Sequence, residues 1–227
     1  MVIDYDAFQS FMRPALFSAR VKRILMSIIL KRDVSPSKYA WLITSIFVCL
    51  TPTLAHAEDT TSVLSIPKEW RIENTTYPPP WAKSLPWSGK IELRFPPGFF
   101  KPTSIFFWSY PILYQLDGNC INHDVELKRA LLDYDAGLYG DKYSRQQIEI
   151  TIQKPKRKHP SLPTVLTFKG FDPFTTLKPL TTYMEIQRRY DPVTDITTIL
   201  ILRSARPIDK KDTVWKTLYR FRKDAGF

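Results

Sequence analysis

The chain has 227 residues, 44% of them apolar and 24% charged, with a formal net charge of +11, which supplies one hydrophobic core and excludes a disordered tail. Seven Gly exclude collagen-like and low-complexity classes, and two Cys exclude a disulfide scaffold and, with no dense Cys/His cluster, a structural zinc module. Nineteen Pro exceed the usual share.

The first organised feature is an export pattern. Lys31, Arg32 and Lys38 precede an apolar run over residues 40–50, Pro52 breaks it, and Ala55 and Ala57 stand three and one before a cut ahead of Glu58. A basic start, a short apolar stretch and a small-x-small exit are what a signal peptidase reads. The alternative, an uncleaved anchor, needs roughly 20 apolar residues; this run is about half that. Cys49 follows the bulky Ile46, Phe47 and Val48, which argues against lipidation. Residues 1–25 carry Asp4 and Asp6 and fit a leader badly, whereas a start at Met26 gives one of ordinary size. The expected organisation is an extension with cleavable signal over 1–57, a Pro/aromatic-rich arm with the first strand over 58–111, and a single α+β domain over 90–227. Cleavage leaves 26 basic and 19 acidic residues, one cysteine (Cys120) and two histidines (His123 and His159). An internal disulfide is then excluded, and burial is the expected state of Cys120.

Residues 77–111 form a belt of prolines and aromatics, which excludes helix over most of it and predicts extended segments and turns. Within it, Ile91, Leu93 and Phe95 alternate with Lys90, Glu92 and Arg94 as one strand. A second, more apolar strand is expected over 105–116, with Pro111 placing it at an edge or bulge, and Asp117-Gly118-Asn119 turns the chain. Leu127, Leu131, Tyr134 and Leu138, with Ala130 beside them, then make the apolar stripe of a helix. Asp124 and Glu126 suit its first turn, and Gly137 and Gly140 its end. Asp133 and Asp135 fall on different faces, with nothing marking them as an acid and base.

The period then becomes two. Strands are expected over 148–152 and 164–168, and a hairpin over 180–190 and 195–203 is joined by Asp191-Pro192-Val193-Thr194. A short final helix, capped by Asp212, carries Val214, Trp215, Leu218 and Phe221 inward and Lys216, Arg220, Arg222 and Lys223 outward. The order predicts an α+β fold: a curved antiparallel sheet of about five to six strands, one helix packed on a face and a short C-terminal helix.

Catalytic signatures are sparse. The sequence has no G-x-S-x-G elbow, H-E-x-x-H, P-loop or G-x-G-x-x-G, which excludes nucleotide chemistry. The one local constellation is Asp117, Cys120, His123 and Asp124, a thiolate–base pair or metal site on one reading and a turn leading into a helix on the other. The expectation is the latter, with no metal site and no cofactor, because nucleophile and base normally come from distant segments.

Two features favour binding. Lys154, Lys156, Arg157 and Lys158 make a basic loop that is either a solvated hairpin tip kept soluble by its charge or, with the cationic final helix, a surface that suits an anionic envelope polymer, lipid headgroups or a protein partner. No aromatic is interleaved there, which disfavours nucleic acid. Trp81, Trp87, Trp108 and Tyr110 offer flat rings for a ligand, or else serve as anchors of the arm. The expected function is a non-catalytic, exported bacterial domain, periplasmic or secreted, that binds through the belt and the loop. The alternatives are a small hydrolase or thiol enzyme centred on Cys120 and His123, and a structural envelope protein.

Overall fold

The computed structural model describes residues 62–153 and 162–227, all within one compact unit. The leader with Ala55 and Ala57, and the basic loop with Lys154, Lys156, Arg157 and Lys158, lie outside the described residues.

Seven strands are found: β1 (Arg71–Tyr77), β2 (Gly89–Phe95), β3 (Tyr110–Asp117), β4 (Glu149–Ile152), β5 (Thr164–Phe171), β6 (Pro179–Asp191) and β7 (Ile196–Ser204). Helix α1 (Asp124–Tyr139) follows β3, and α2 (Thr213–Tyr219) and α3 (Phe221–Asp224) end the chain. The strands make one sheet in the order β1-β2-β3-β7-β6-β5-β4, and every neighbouring pair is antiparallel. It is an α+β fold of two meanders. One runs β1 to β3, the other β4 to β7, and they join where β3 pairs with β7.

The period-two pattern divides the apolar residues between two faces. Ile91, Leu93, Ile112, Tyr114, Leu166, Phe168, Met184, Ile186, Ile199 and Ile201 pack under Leu127, Ala130, Leu131 and Tyr134 of α1. Leu113, Leu200 and Leu202 point the other way, onto Val214, Trp215 and Leu218 of α2 and Phe221 of α3. Helices therefore cover both faces of the sheet.

The sheet has seven strands, rather than five to six. The additional one is β1, whose residues alternate between half-buried and exposed up to Tyr77. It sits at the sheet edge, and its Ile72 faces outward, so its sequence has no apolar period.

The strand expected over 105–116 starts at Tyr110. Before it, the N–H groups of Phe99, Lys101, Ser104 and Phe107 each donate to the carbonyl three residues back, which makes a run of turns. Nor is β3 an edge strand. Pro111 is tolerated in the interior because the β2–β3 register ends at Leu93 and Ile112, one residue short of it, while Pro111 faces Leu202 on the β7 side.

Gly137 does not stop α1, which continues to Tyr139. A Cβ at this position would lie 2.1 Å from the Trp81 carbonyl oxygen, so glycine here permits the arm to cross the helix. Gly140, at φ 55°, ends it.

Candidate functional site

The aromatic belt folds largely inward. Trp108 is 1% exposed and Tyr110 3%. The Trp108 ring stacks on Phe174 at 5.8 Å, and Phe99 lies edge-on to Tyr110 at 5.0 Å. Burial pushes the Tyr110 hydroxyl up to about 12, against the pull of Arg203. Trp81 and Trp87 are half-buried and pack against the same core; the Trp81 ring meets Tyr134 edge-on at 5.8 Å. Of the four rings expected to bind a ligand, Trp81 and Trp87 retain exposed surface; Trp108 and Tyr110 are core.

The Asp117–Asp124 segment is arranged as a turn and a helix start. Asp117 is exposed and accepts from the Ser88 hydroxyl at 2.6 Å. Cys120 is buried, its N–H donating to Thr197 Oγ1 at 3.2 Å and its carbonyl accepting from Arg188 Nε at 3.0 Å. Burial pushes its thiol up, which opposes thiolate formation. His123 and Asp124 are exposed. His123 caps α1, with its main-chain N–H donating to Glu126 Oε2 at 3.1 Å. Cys120 thus faces inward while its three polar neighbours face solvent. Among the described residues no group of three or more His, Cys, Asp or Glu is placed to hold a metal ion.

The C-terminal segment supplies the exposed cations. The Asp212 carboxylate accepts from the N–H groups of Val214 at 2.8 Å and Trp215 at 3.3 Å, which starts α2. Burial of Val214, Trp215, Leu218 and Phe221 then fixes which side faces out. Lys216, Arg220 and Lys223 are exposed at helical spacings of four and three, and Arg220 keeps helical backbone between α2 and α3. They form one stripe. Arg206 pairs with Asp212 and Arg222 with Glu185, whereas the three stripe residues make no ion pair among the described residues.

Two buried ion pairs escaped sequence reasoning. On the α1 face, Arg203 Nη1 donates to both Asp135 oxygens at 2.8 and 3.1 Å, and its Nε to Thr182 Oγ1 at 3.0 Å. The Tyr139 hydroxyl donates to Asp135 at 2.9 Å. The guanidinium lies 5.2 Å from the Trp108 ring centre and 4.7 Å from that of Phe168. Burial lifts the Asp135 carboxyl above its ordinary value, and Arg203 pulls it back. Parity was the available signal: Asp135 lies four after Leu131, on the buried stripe, and Arg203 two after Ile201, on the α1 face.

On the opposite face, Arg94 Nη2 meets Glu92 at 2.6 Å. Both hold residues 62–65. The Val63 and Leu64 N–H groups donate to Glu92 at 2.8 and 3.0 Å, and Arg94 donates to the Leu64 and Ser65 carbonyls at 3.1 and 3.3 Å.

Comparison with known families, with curated proteins and with solved structures finds no match for this chain. The fold and the stripe define an α+β, antiparallel-sheet protein with a cationic C-terminal face.

Proposed function

We propose that the chain is an exported, non-catalytic binding domain whose cationic face meets an anionic envelope component, a surface bearing phosphate or carboxylate groups. The observation that carries this reading is the exposed stripe of Lys216, Arg220 and Lys223, unpaired among the described residues on a segment whose other side is buried. The buried Arg94 and Arg203, and Arg206 and Arg222 close to the stripe, each have an acidic partner. A row of like charges without acidic neutralisation destabilises by self-repulsion and attracts anions over roughly a Debye length. The basic loop at Lys154 to Lys158 adds cations of the same sign, and the exposed parts of Trp81 and Trp87 offer apolar contact to a partner protein.

The test is binding to vesicles of mixed anionic and zwitterionic lipid and to a soluble carboxylated polysaccharide, at low and high salt. The triple change Lys216→Glu, Arg220→Glu, Lys223→Glu replaces three positive by three negative charges and should lower affinity by at least about tenfold at low salt, with a flatter salt dependence. Vesicle binding alone selects a lipid surface and polysaccharide binding alone a polymer. Equal binding by the triple variant, with its fold retained, would sink the reading.

A further inference from the structure

The clasp around residues 62–65 has the construction of a peptide-binding site. Glu92 offers its carboxylate to two successive main-chain N–H groups, and Arg94 offers its guanidinium to the next two carbonyls. The Ser65 N–H reaches Asp224 at 3.0 Å. Such bonds hold the main chain of a segment that bends at Val63 and Leu64, so that two successive N–H groups face one carboxylate, and the side chain between them sets the specificity. Here that side chain is Leu64, 1% exposed, seated among Leu113, Leu200, Trp215, Leu218 and Phe221. The occupant is the chain's own arm.

What joins arm to sheet is short and strained. Ile66 is 57% exposed. Pro67 opens a turn closed by the Trp70 N–H on its carbonyl at 3.1 Å, and Glu69 within it sits at φ 68°, a left-handed conformation that disfavours any residue but glycine. Straightening this turn releases the strain, leaves the contacts of the arm unchanged and carries residues 62–65 away from their own groove. A short hinge under strain that bears a self-contained binding segment is the arrangement that favours exchange between copies.

We propose that the arm exchanges: residues 62–65 of one copy occupy the Glu92–Arg94 groove of a second, giving a two-fold dimer with both grooves filled. The partner is a second copy of this chain because the groove already fits this segment at both backbone and side chain. The proposal is independent of anion binding, which uses the exposed side of α2 and α3.

The experiment is size-exclusion chromatography with light scattering on the full chain, equilibrated over a range of concentrations reaching the millimolar effective concentration that a short tether gives its own arm. A dimer whose fraction rises with concentration is expected. Leu64→Asp, which cannot enter the apolar groove, should abolish it. Glu69→Gly removes the hinge strain and should weaken association by about tenfold per hinge, about a hundredfold for the dimer. A monomer at every concentration overturns the proposal, as does a dimer that survives Leu64→Asp. Should Leu64→Asp fail to fold, Glu69→Gly decides, because an unchanged dimer fraction in that variant also overturns it.

Discussion

Replacing Asp135 by Asn tests the buried pair at its weakest point. The carboxylate and Arg203 are both almost fully enclosed, at 1% and 2% side-chain exposure. Asn keeps the shape and can still accept from the Tyr139 hydroxyl, but it removes the charge that balances the guanidinium. Arginine cannot shed its proton at any accessible pH, so the variant retains an uncompensated buried cation, at a cost of about 3–5 kcal/mol. A domain of this size is stable by roughly 5–15 kcal/mol, so the loss should appear as a fall in melting temperature of about 6–20 °C. The reverse change, Arg203→Met, behaves differently because Asp135 can neutralise itself by taking up a proton. Its folded-state pKa, already raised by burial, rises further without Arg203. A raised folded value means that the group's contribution is full below the unfolded value of about 3.9 and is lost as pH rises through the folded value. Arg203→Met should therefore be less damaging at about pH 4.5 than at about pH 7.5, whereas Asp135→Asn has no proton to gain. The double change Asp135→Leu, Arg203→Met should recover most of the loss, since an apolar pair often equals or exceeds a buried ionic one. Urea titrations at both pH values read all four proteins. A cost of less than about 1 kcal/mol for Asp135→Asn, or a pH-independent loss for Arg203→Met, would refute the reasoning.

Asp212→Ala should cost about 0.5–2 kcal/mol in urea melts by uncapping α2. Burial opposes the Asp212 charge, but Arg206 and the two helix N–H groups outweigh it and lower its pKa; its contribution is thus present above the ordinary aspartate value and lost as pH falls through the lowered one. Gly137→Ala, which in an open helix would gain about 1 kcal/mol, should instead destabilise by about 1–3 kcal/mol and shift the tryptophan emission, because the new methyl meets the Trp81 carbonyl. Cys120 should react with a thiol reagent at least about 100-fold more slowly in the native than in the urea-unfolded protein, and comparable rates would contradict its burial.

The legible part of the fold was the part in which one residue pattern had one physical explanation. The alternation of β2, the α1 stripe and the β6–β7 hairpin each place apolar side chains at a spacing that only one backbone geometry can bury. Asp191 also ends its strand for a local reason: its carboxylate accepts from the Val193 N–H at 2.9 Å and the Thr194 hydroxyl at 3.0 Å. What stayed hidden depends on partners distant in sequence. Asp135 and Arg203 are 68 residues apart, and each alone reads as a surface charge; only the parity of their neighbours turns both toward the same layer. Pro111 reads as an edge signal because its missing N–H is visible in the sequence, whereas the end of the β2–β3 pairing at Leu93 and Ile112 is not. The belt misled in the same way. Trp108 is as suitable for a ligand as any tryptophan, and whether its ring faces solvent depends on Phe174 and Arg203, from the loop after β5 and from β7. The cationic stripe is legible at Lys216, Arg220 and Lys223 for the opposite reason: the buried and exposed sides of one short helical segment are set by its own periodicity. Arg222, expected outward with them, is half-buried because it pairs with Glu185 on β6, a partner its own periodicity does not show.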